Sequence, residues 1–239
     1  MISLTKSQTM TALRAFLLTL FPTGVEIVAG QDNRVAEPMG GDFIVMTPIL
    51  RDRLGTNVDE YVDAVFTGSI AVNTMTITAV TSGVLEIGST IFGVNVAAGT
   101  TVTAFGTGMG GVGTYTVSVP QTIASETLSA GTTGALQPTK LTVQLDVHGP
   151  NSDDNAQTIS TMLRDDYAMA QFSTSGFDVT PLYADDPKQV PFLNGEQQYE
   201  TRWIVEAVLQ VNPVVSVPQQ FMDAASITLV EVDAAYPPA

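Results

Sequence analysis

The sequence predicts an α+β fold: a mainly antiparallel β-sheet packed with two helices, plus an inserted small all-β domain. Three observations carry this prediction. Apolar residues recur at helical spacing near the N-terminus and again after Asn151. Most other segments alternate apolar and polar residues with period two. Between Thr67 and Thr133 the chemistry changes abruptly, with no Lys, Arg or Asp and only Glu86 and Glu126 as acids.

The first helix spans residues 7–20. Met10, Leu13, Leu17 and Leu20 form its apolar stripe, Thr5 or Ser7 caps it, and Pro22-Thr23-Gly24 stops it. Val25 to Ala29 reads as a short strand. "GDFIVMTPILRDRLG" and "TNVDEYVDAVF" read as antiparallel strands joined near Leu54 to Asn57, and Pro48 suits an edge or a bulge. After the charge-poor stretch, "TKLTVQLDVHG" puts Leu141, Val143, Leu145 and Val147 on one face. The strands flanking that stretch are expected to rejoin as sheet neighbours. A second helix follows. Asn151 or Ser152 caps it, Asp153 and Asp154 sit at the positive end of its dipole, and Ala156, Ile159, Leu163, Tyr167 and Ala170 form its stripe. "FDVTPLYA", a loop through Pro187 and Pro191, "QYETRWIVEAVLQVNPVVSVP" and "SITLVEVDAAY" complete the sheet.

Within the charge-poor stretch, "NTMTITAV", "VLEIGSTI", "TTVTAF", "TYTVSV" and "QTIASETLS" read as short strands. Turn signals at Ser82-Gly83, Ala98-Gly99 and Gly106 to Gly113 separate them. Short strands so spaced indicate a small sandwich or barrel-like unit. The expected organisation is a discontinuous host domain, 1–66 and 134–239, carrying an insert at 67–133.

Composition narrows function. Nine Lys and Arg against 24 Asp and Glu give a net charge of −15, which disfavours sequence-specific nucleic-acid binding. The absence of cysteine removes disulfides and thiolate metal sites, and a lone His148 removes any multi-histidine site within one chain. No apolar run reaches the roughly 18 residues a membrane span needs. The N-terminus reads as an amphipathic helix rather than a secretory signal, because Lys6 and Arg14 interrupt it.

Four motifs invite chemistry. Gly106-x-Gly108-x-x-Gly111 has the spacing of a dinucleotide fingerprint, with Glu126 twenty residues after Gly106. That fingerprint needs a helix after the glycines to hold the pyrophosphate, and here "TYTVSV" is a strand. The stretch therefore reads as a flexible hairpin loop whose glycines supply turn geometry. His148 with Asp146 resembles a base pair of residues for catalysis, but both read as an exposed strand end. Asp178, Asp185 and Asp186 lack the ligand order of a calcium loop and read as solvated. Arg51-Asp52-Arg53 is the densest basic spot and reads as an exposed strand end that could pair with an acidic partner. No catalytic, cofactor-binding or metal-binding residue is assigned, and the chain is not expected to be an enzyme.

The strand ending "NPVVSVPQQF", the closing "DAAYPP" and the helix entry "HGPNSDDNAQTISTMLRDD" resemble the neck or tail terminator family of contractile-tailed phages. The likeness spans roughly 1–65 and 135–239. It implies a virion protein, assembled in the host cytoplasm, that forms a ring, commonly a hexamer. Such a ring caps the tail tube and sheath and joins them to the head-tail connector. Genomic DNA would pass through its lumen without specific binding, the acidic wall keeping it from sticking. The stretch from "TMTITAV" to "QTIAS" resembles a Thr/Gly-rich module found in phage tail proteins, and as an insert of this size it suggests an outward projection. Two alternatives stand beside this reading: another neck, collar or head-completion ring protein, or a glycan-recognising decoration protein acting through the insert.

Overall fold

A computed structural model describes residues 2–21, 23–31, 38, 41–193 and 199–219. The chain divides into two compact units. One comprises Met1–Glu60 with Gly134–Ser216; the other comprises Tyr61–Thr133 with the chain from Val217 onward.

In the first unit, α1 (Lys6–Leu20) begins at Thr5, where a capping box forms. Gln8 N–H donates to Thr5 Oγ1 at 3.3 Å, and Thr5 N–H donates to Gln8 Oε1 at 2.8 Å. The sheet is built from β1 (Val25–Ala29), β2 (Asp42–Arg53), β6 (Thr139–His148), β11 (Arg202–Val211) and β7 (Val179–Ala184), in the order β1-β2-β6-β11-β7. Only β1 and β2 run parallel; β2, β6, β11 and β7 are antiparallel neighbours. The register shifts between Pro48 and Leu50, so Pro48 sits at a bulge, where its missing N–H costs no ladder bond. The short β8 (Lys188–Gln189) pairs with β11, while β9 (Phe192–Leu193) and β10 (Tyr199–Glu200) form a separate ribbon.

One sheet face carries the core. Ile44, Met46, Leu145, Val147, Val205, Ala207 and Leu209 are buried with Leu13, Phe16 and Leu17 of α1. Their alternate positions in register follow from the period-two pattern.

The expected second helix is two. α2 (Ser152–Met162) ends at Leu163, and α3 (Asp166–Ser173) starts afresh from Asp165, whose carboxylate accepts from Tyr167 N–H at 2.9 Å. An Asp at this point competes with helix continuation by capping a new first turn. The stripe shifts accordingly: Ala156, Ile159 and Leu163 are buried, but Ala168 and Phe172 take the places expected of Tyr167 and Ala170. Among the described residues there are thus three helices, not two.

A second correction concerns β2 and its successor β3 (Val58–Ser82), which do not form a hairpin. Along β2, β6 pairs with residues 43–53 on one edge and β1 with residues 42–46 on the other, while β3 pairs with β5 (Gly113–Leu136) in a different sheet. The strands flanking the charge-poor stretch, β3 and β6, lie in different sheets and do not rejoin as neighbours; β6 pairs instead with β2.

The sheet of β3, β5 and β12 (Val214–Pro218) has the order β12-β5-β3, with β4 (Val102–Phe105) also on β5. Within β3, Thr78 Oγ1 donates to Thr67 O at 3.2 Å and Gly68 lies against Thr76 O, so β3 doubles back through Val72. Val72 holds φ +58°, an uncommon conformation for a β-branched residue and the local cost of that reversal. The second unit has its own apolar cluster, including Phe66, Met75, Ile77, Leu85, Tyr115, Val117 and Leu128. "VLEIGSTI" is not a strand. It runs through turns and isolated bridges, with Gly83 at φ 71° and Gly88 at φ 91° breaking the extended path. "QTIASETLS" and "TYTVSV" are parts of the single β5. The expected closing strand "SITLVEVDAAY" lies outside the described residues.

Candidate functional site

The glycine pattern joins β4 to β5. Its amides are already engaged: Gly106 and Gly108 N–H both donate to Thr114 O, at 2.9 and 3.3 Å. Thr107 and Thr114 exchange hydroxyl–amide bonds at 3.0 Å each. Tyr115 Oη accepts from Gly110 N–H at 2.9 Å and donates to Gly111 O at 2.6 Å. The loop thus wraps a tyrosine, only 1% exposed, whose ring stands edge-on to Phe105 at 5.8 Å. Gly106, Gly108 and Gly111 are not among the residues at positive φ, so turn geometry does not require them. Close approach does at two of them. A Cβ on Gly106 would lie 2.8 Å from Thr114 O, and one on Gly108 would lie 2.7 Å from Tyr115 Cε2. The donors that would face a pyrophosphate are spent inside the protein. Glu126 instead accepts from the backbone and side chain of Asn95, at 3.2 and 2.7 Å.

Asp146 and His148 are not at an exposed strand end: they are 7% and 6% exposed. They lie on the sheet face opposite the helices, in line with Phe43 of β2 and Arg202 of β11. His148 stacks on Phe43 with centroids 4.5 Å apart, and Phe192 meets it edge-on at 5.3 Å. His148 Nδ1 is 2.9 Å from Glu200 Oε1. Asp146 accepts from Gln144 Nε2 at 2.9 and 3.0 Å, from Arg202 Nε at 3.0 Å, and from Arg202 Nη2. The Arg202 guanidinium also sits over the Phe192 ring, 5.7 Å from its centroid. Burial comes from residues distant in sequence, Phe43 upstream and Phe192, Glu200 and Arg202 downstream, which the local pattern around His148 does not display. The usable signal was Arg202 itself, a charge at the head of an apolar-alternating strand in phase with Asp146. His148 Nδ1 meets Glu200 of β10 and the His148 ring meets Phe192 of β9, so the cluster ties the β9–β10 ribbon to the sheet.

The three aspartates stay apart in their bonding. Asp178 Oδ1 accepts from Asn212 Nδ2 at 3.1 Å, and Asp186 pairs with Arg164 at 3.2 Å, where both are largely solvated. Arg164 also donates through Nε to Ala184 O at 2.8 Å, tying the end of α2 to β7. Arg51 and Arg53 are exposed at the end of β2, and Asp52 between them pairs with Lys140 at 3.4 Å. Among the described residues no group of three or more His, Asp or Glu is placed to hold a metal ion. No described helix is long and apolar enough to cross a membrane.

The clefts lie elsewhere. One of about 470 Å³ is lined by Lys6, Met10, Arg14, Ala29 and Met46, among others. A second, of about 380 Å³, shares Arg14 and continues along Val25 to Ile27. Both therefore follow the outer side of β1, the first strand of its sheet.

No curated protein matches the chain. The sequence profile described as phage neck terminator protein matches residues 107–233. The match takes in β6, α2, α3, β7 and β11, the greater part of the helix-covered sheet. It begins at Thr107, inside the stretch read as an insert. A match over more than half the sequence establishes that this chain belongs to the phage neck terminator protein family.

Proposed function

We propose that this chain closes into a ring, a hexamer, at the neck of a contractile-tailed phage. There it ends the tail tube and sheath and joins them to the head-tail connector. The observation that carries this reading is the profile match over 107–233, centred on the helix-backed sheet. Its mechanism is assembly. A cyclic ring needs two different surfaces on each subunit that meet head to tail, and the rotation between them sets the count. Net charge supports a conduit role, since a wall of subunits at −15 each repels the DNA that passes through it. The protein would reside in the virion after assembly in the host cytoplasm.

We also infer that residues 67–133 are a module inserted in a discontinuous host. The separate apolar cluster supports this, as does a compact unit that contains Tyr61–Thr133; the inclusion of the chain from Val217 onward in that unit and the match from Thr107 onward count against it. A glycan-binding role for that segment has little support: Tyr115 is buried and Phe92 and Phe105 are half-buried, so few rings are open for stacking on a sugar.

Electron microscopy and mass photometry of the purified protein, alone and mixed with terminator-free tail tubes, test the ring. Rings in solution or on tube ends are expected. A strictly monomeric protein at high concentration that also leaves tube ends bare would refute it. Rings that bind a connector but no tube would favour a collar or head-completion role.

A further inference from the structure

The cleft between α1 and β1 concentrates positive charge in a strongly acidic protein. Lys6, Met10 and Arg14 are spaced four residues apart and so share one face of α1. Met10 and Met46 are buried and make the floor; Lys6 and Arg14 are exposed and make the rim. Arg14 reaches β1 and donates from Nε to Ile27 O at 3.0 Å, which leaves its terminal nitrogens uncommitted among the described residues. Lys140, Arg164 and Arg202 have carboxylate partners within the chain. Lys6 and Arg14 have none among the described residues; Arg51, Arg53 and Lys188 share that lack, but none of them lines the cleft. The volume, about 470 Å³, falls in the range of ordinary binding clefts, roughly 300–1,000 Å³.

From this we propose that the α1–β1 cleft is one half of the subunit contact, and that it receives an acidic extended segment of a second copy. The inference rests on the ring reading above. Subunits that each carry −15 repel one another, so their contact must set the scarce cations of one copy against carboxylates of the next. The opening stretch of β3 offers the complement. Val58, Asp59 and Glu60 are exposed, and the exposed run continues through Tyr61 and Val62. β3 also stands last in its sheet order among the described residues. Acid and apolar side chains along one extended segment match a cleft with a cationic rim and a methionine floor. Cleft and strand are different surfaces, so their union is head to tail, as a closed ring requires.

Charge reversal in the full-length protein tests the contact. The probe is self-association, measured by mass photometry and sedimentation between about 50 and 500 mM NaCl, the range over which screening removes exposed-pair attraction. Lys6→Glu, at an exposed position with no hydrogen bond to lose among the described residues, should weaken association about tenfold at low salt. Glu60→Lys should do the same, and the two together should recover most of the loss. Wild-type rings with unchanged association in both single variants would overturn the contact and leave the ring standing. Loss of thermal stability with association unchanged would also overturn it. A wild-type chain that never associates, on tubes or off, would remove the ring reading and the contact together.

Discussion

Replacing Gly108 with alanine separates a phosphate cradle from a tyrosine-centred hairpin. Gly108 is not at positive φ, so alanine is conformationally allowed there. Reduced freedom of the unfolded chain would by itself stabilise by about 0.4–1 kcal/mol. The new Cβ, however, would lie 2.7 Å from Tyr115 Cε2, against a normal carbon–carbon separation of about 3.5–4.0 Å. The ring must retreat by about 1 Å, and it has nowhere to go. It is buried, meets Phe105 edge-on, and is held by two hydroxyl bonds to the loop itself. Overpacking of this kind costs about 1–3 kcal/mol, and breaking both hydroxyl bonds would add about 1 kcal/mol each. A net loss of about 2 kcal/mol is therefore expected. Gly111→Ala is the internal control: nothing lies within 4 Å of its Cβ position and its φ is not positive, so stability should hold or rise slightly. The assay is chemical denaturation followed by hydrogen exchange of the β4–β5 amides, which localises the loss to this hairpin. Tyr115→Leu removes the outer ring atoms, so Gly108→Ala in that background should cost less than about 0.5 kcal/mol, a coupling read from the double-mutant cycle. Additive costs, or a stable Gly108→Ala protein that loses micromolar nucleotide binding, would refute the reasoning.

Three further outcomes follow from the same geometry. Arg202→Met should cost about 3 kcal/mol in denaturation, because it strands Asp146 in a largely buried site; adding Asp146→Leu should recover part of that loss. Thr5→Ala should lower stability by about 1 kcal/mol by opening the capping box, with hydrogen exchange rising first at the start of α1. Asp165→Ala should cost a similar amount, about 1 kcal/mol, and should loosen α3 while leaving the start of α2 protected.

What could be read in advance divides by the range of the interaction. Thr5 and Gln8 sit three residues apart, and the bulge at Pro48 follows from one missing donor, so both were visible in the sequence. The α2–α3 break was harder. Leu163, Tyr167 and Ala170 continue a plausible stripe, and only the capping choice of Asp165 overrides it. The β2–β3 hairpin failed for a global reason: "LGTN" has turn chemistry, but β2 pairs with β6 from a distant part of the chain, and β3 pairs with β5 in another sheet. The burial of His148 was beyond local reading altogether, since Phe43, Phe192 and Glu200 arrive from three distant elements.

The side-chain clusters that looked most like chemistry are held by partners from within the fold. Asp146 is held by Arg202 and Gln144, His148 by Glu200 and two rings, and Tyr115 by its own loop. A catalytic acid or base needs a proton it can exchange with something outside the fold, and partners that consume its bonding capacity work against that. The same saturation is what holds strands and ribbons in a single arrangement. Unspent bonding capacity lies instead on the rim of the α1–β1 cleft and along the opening of β3, where Lys6, Asp59 and Glu60 are exposed. The proposed contact between subunits draws on that distribution, because a second copy would complete both surfaces.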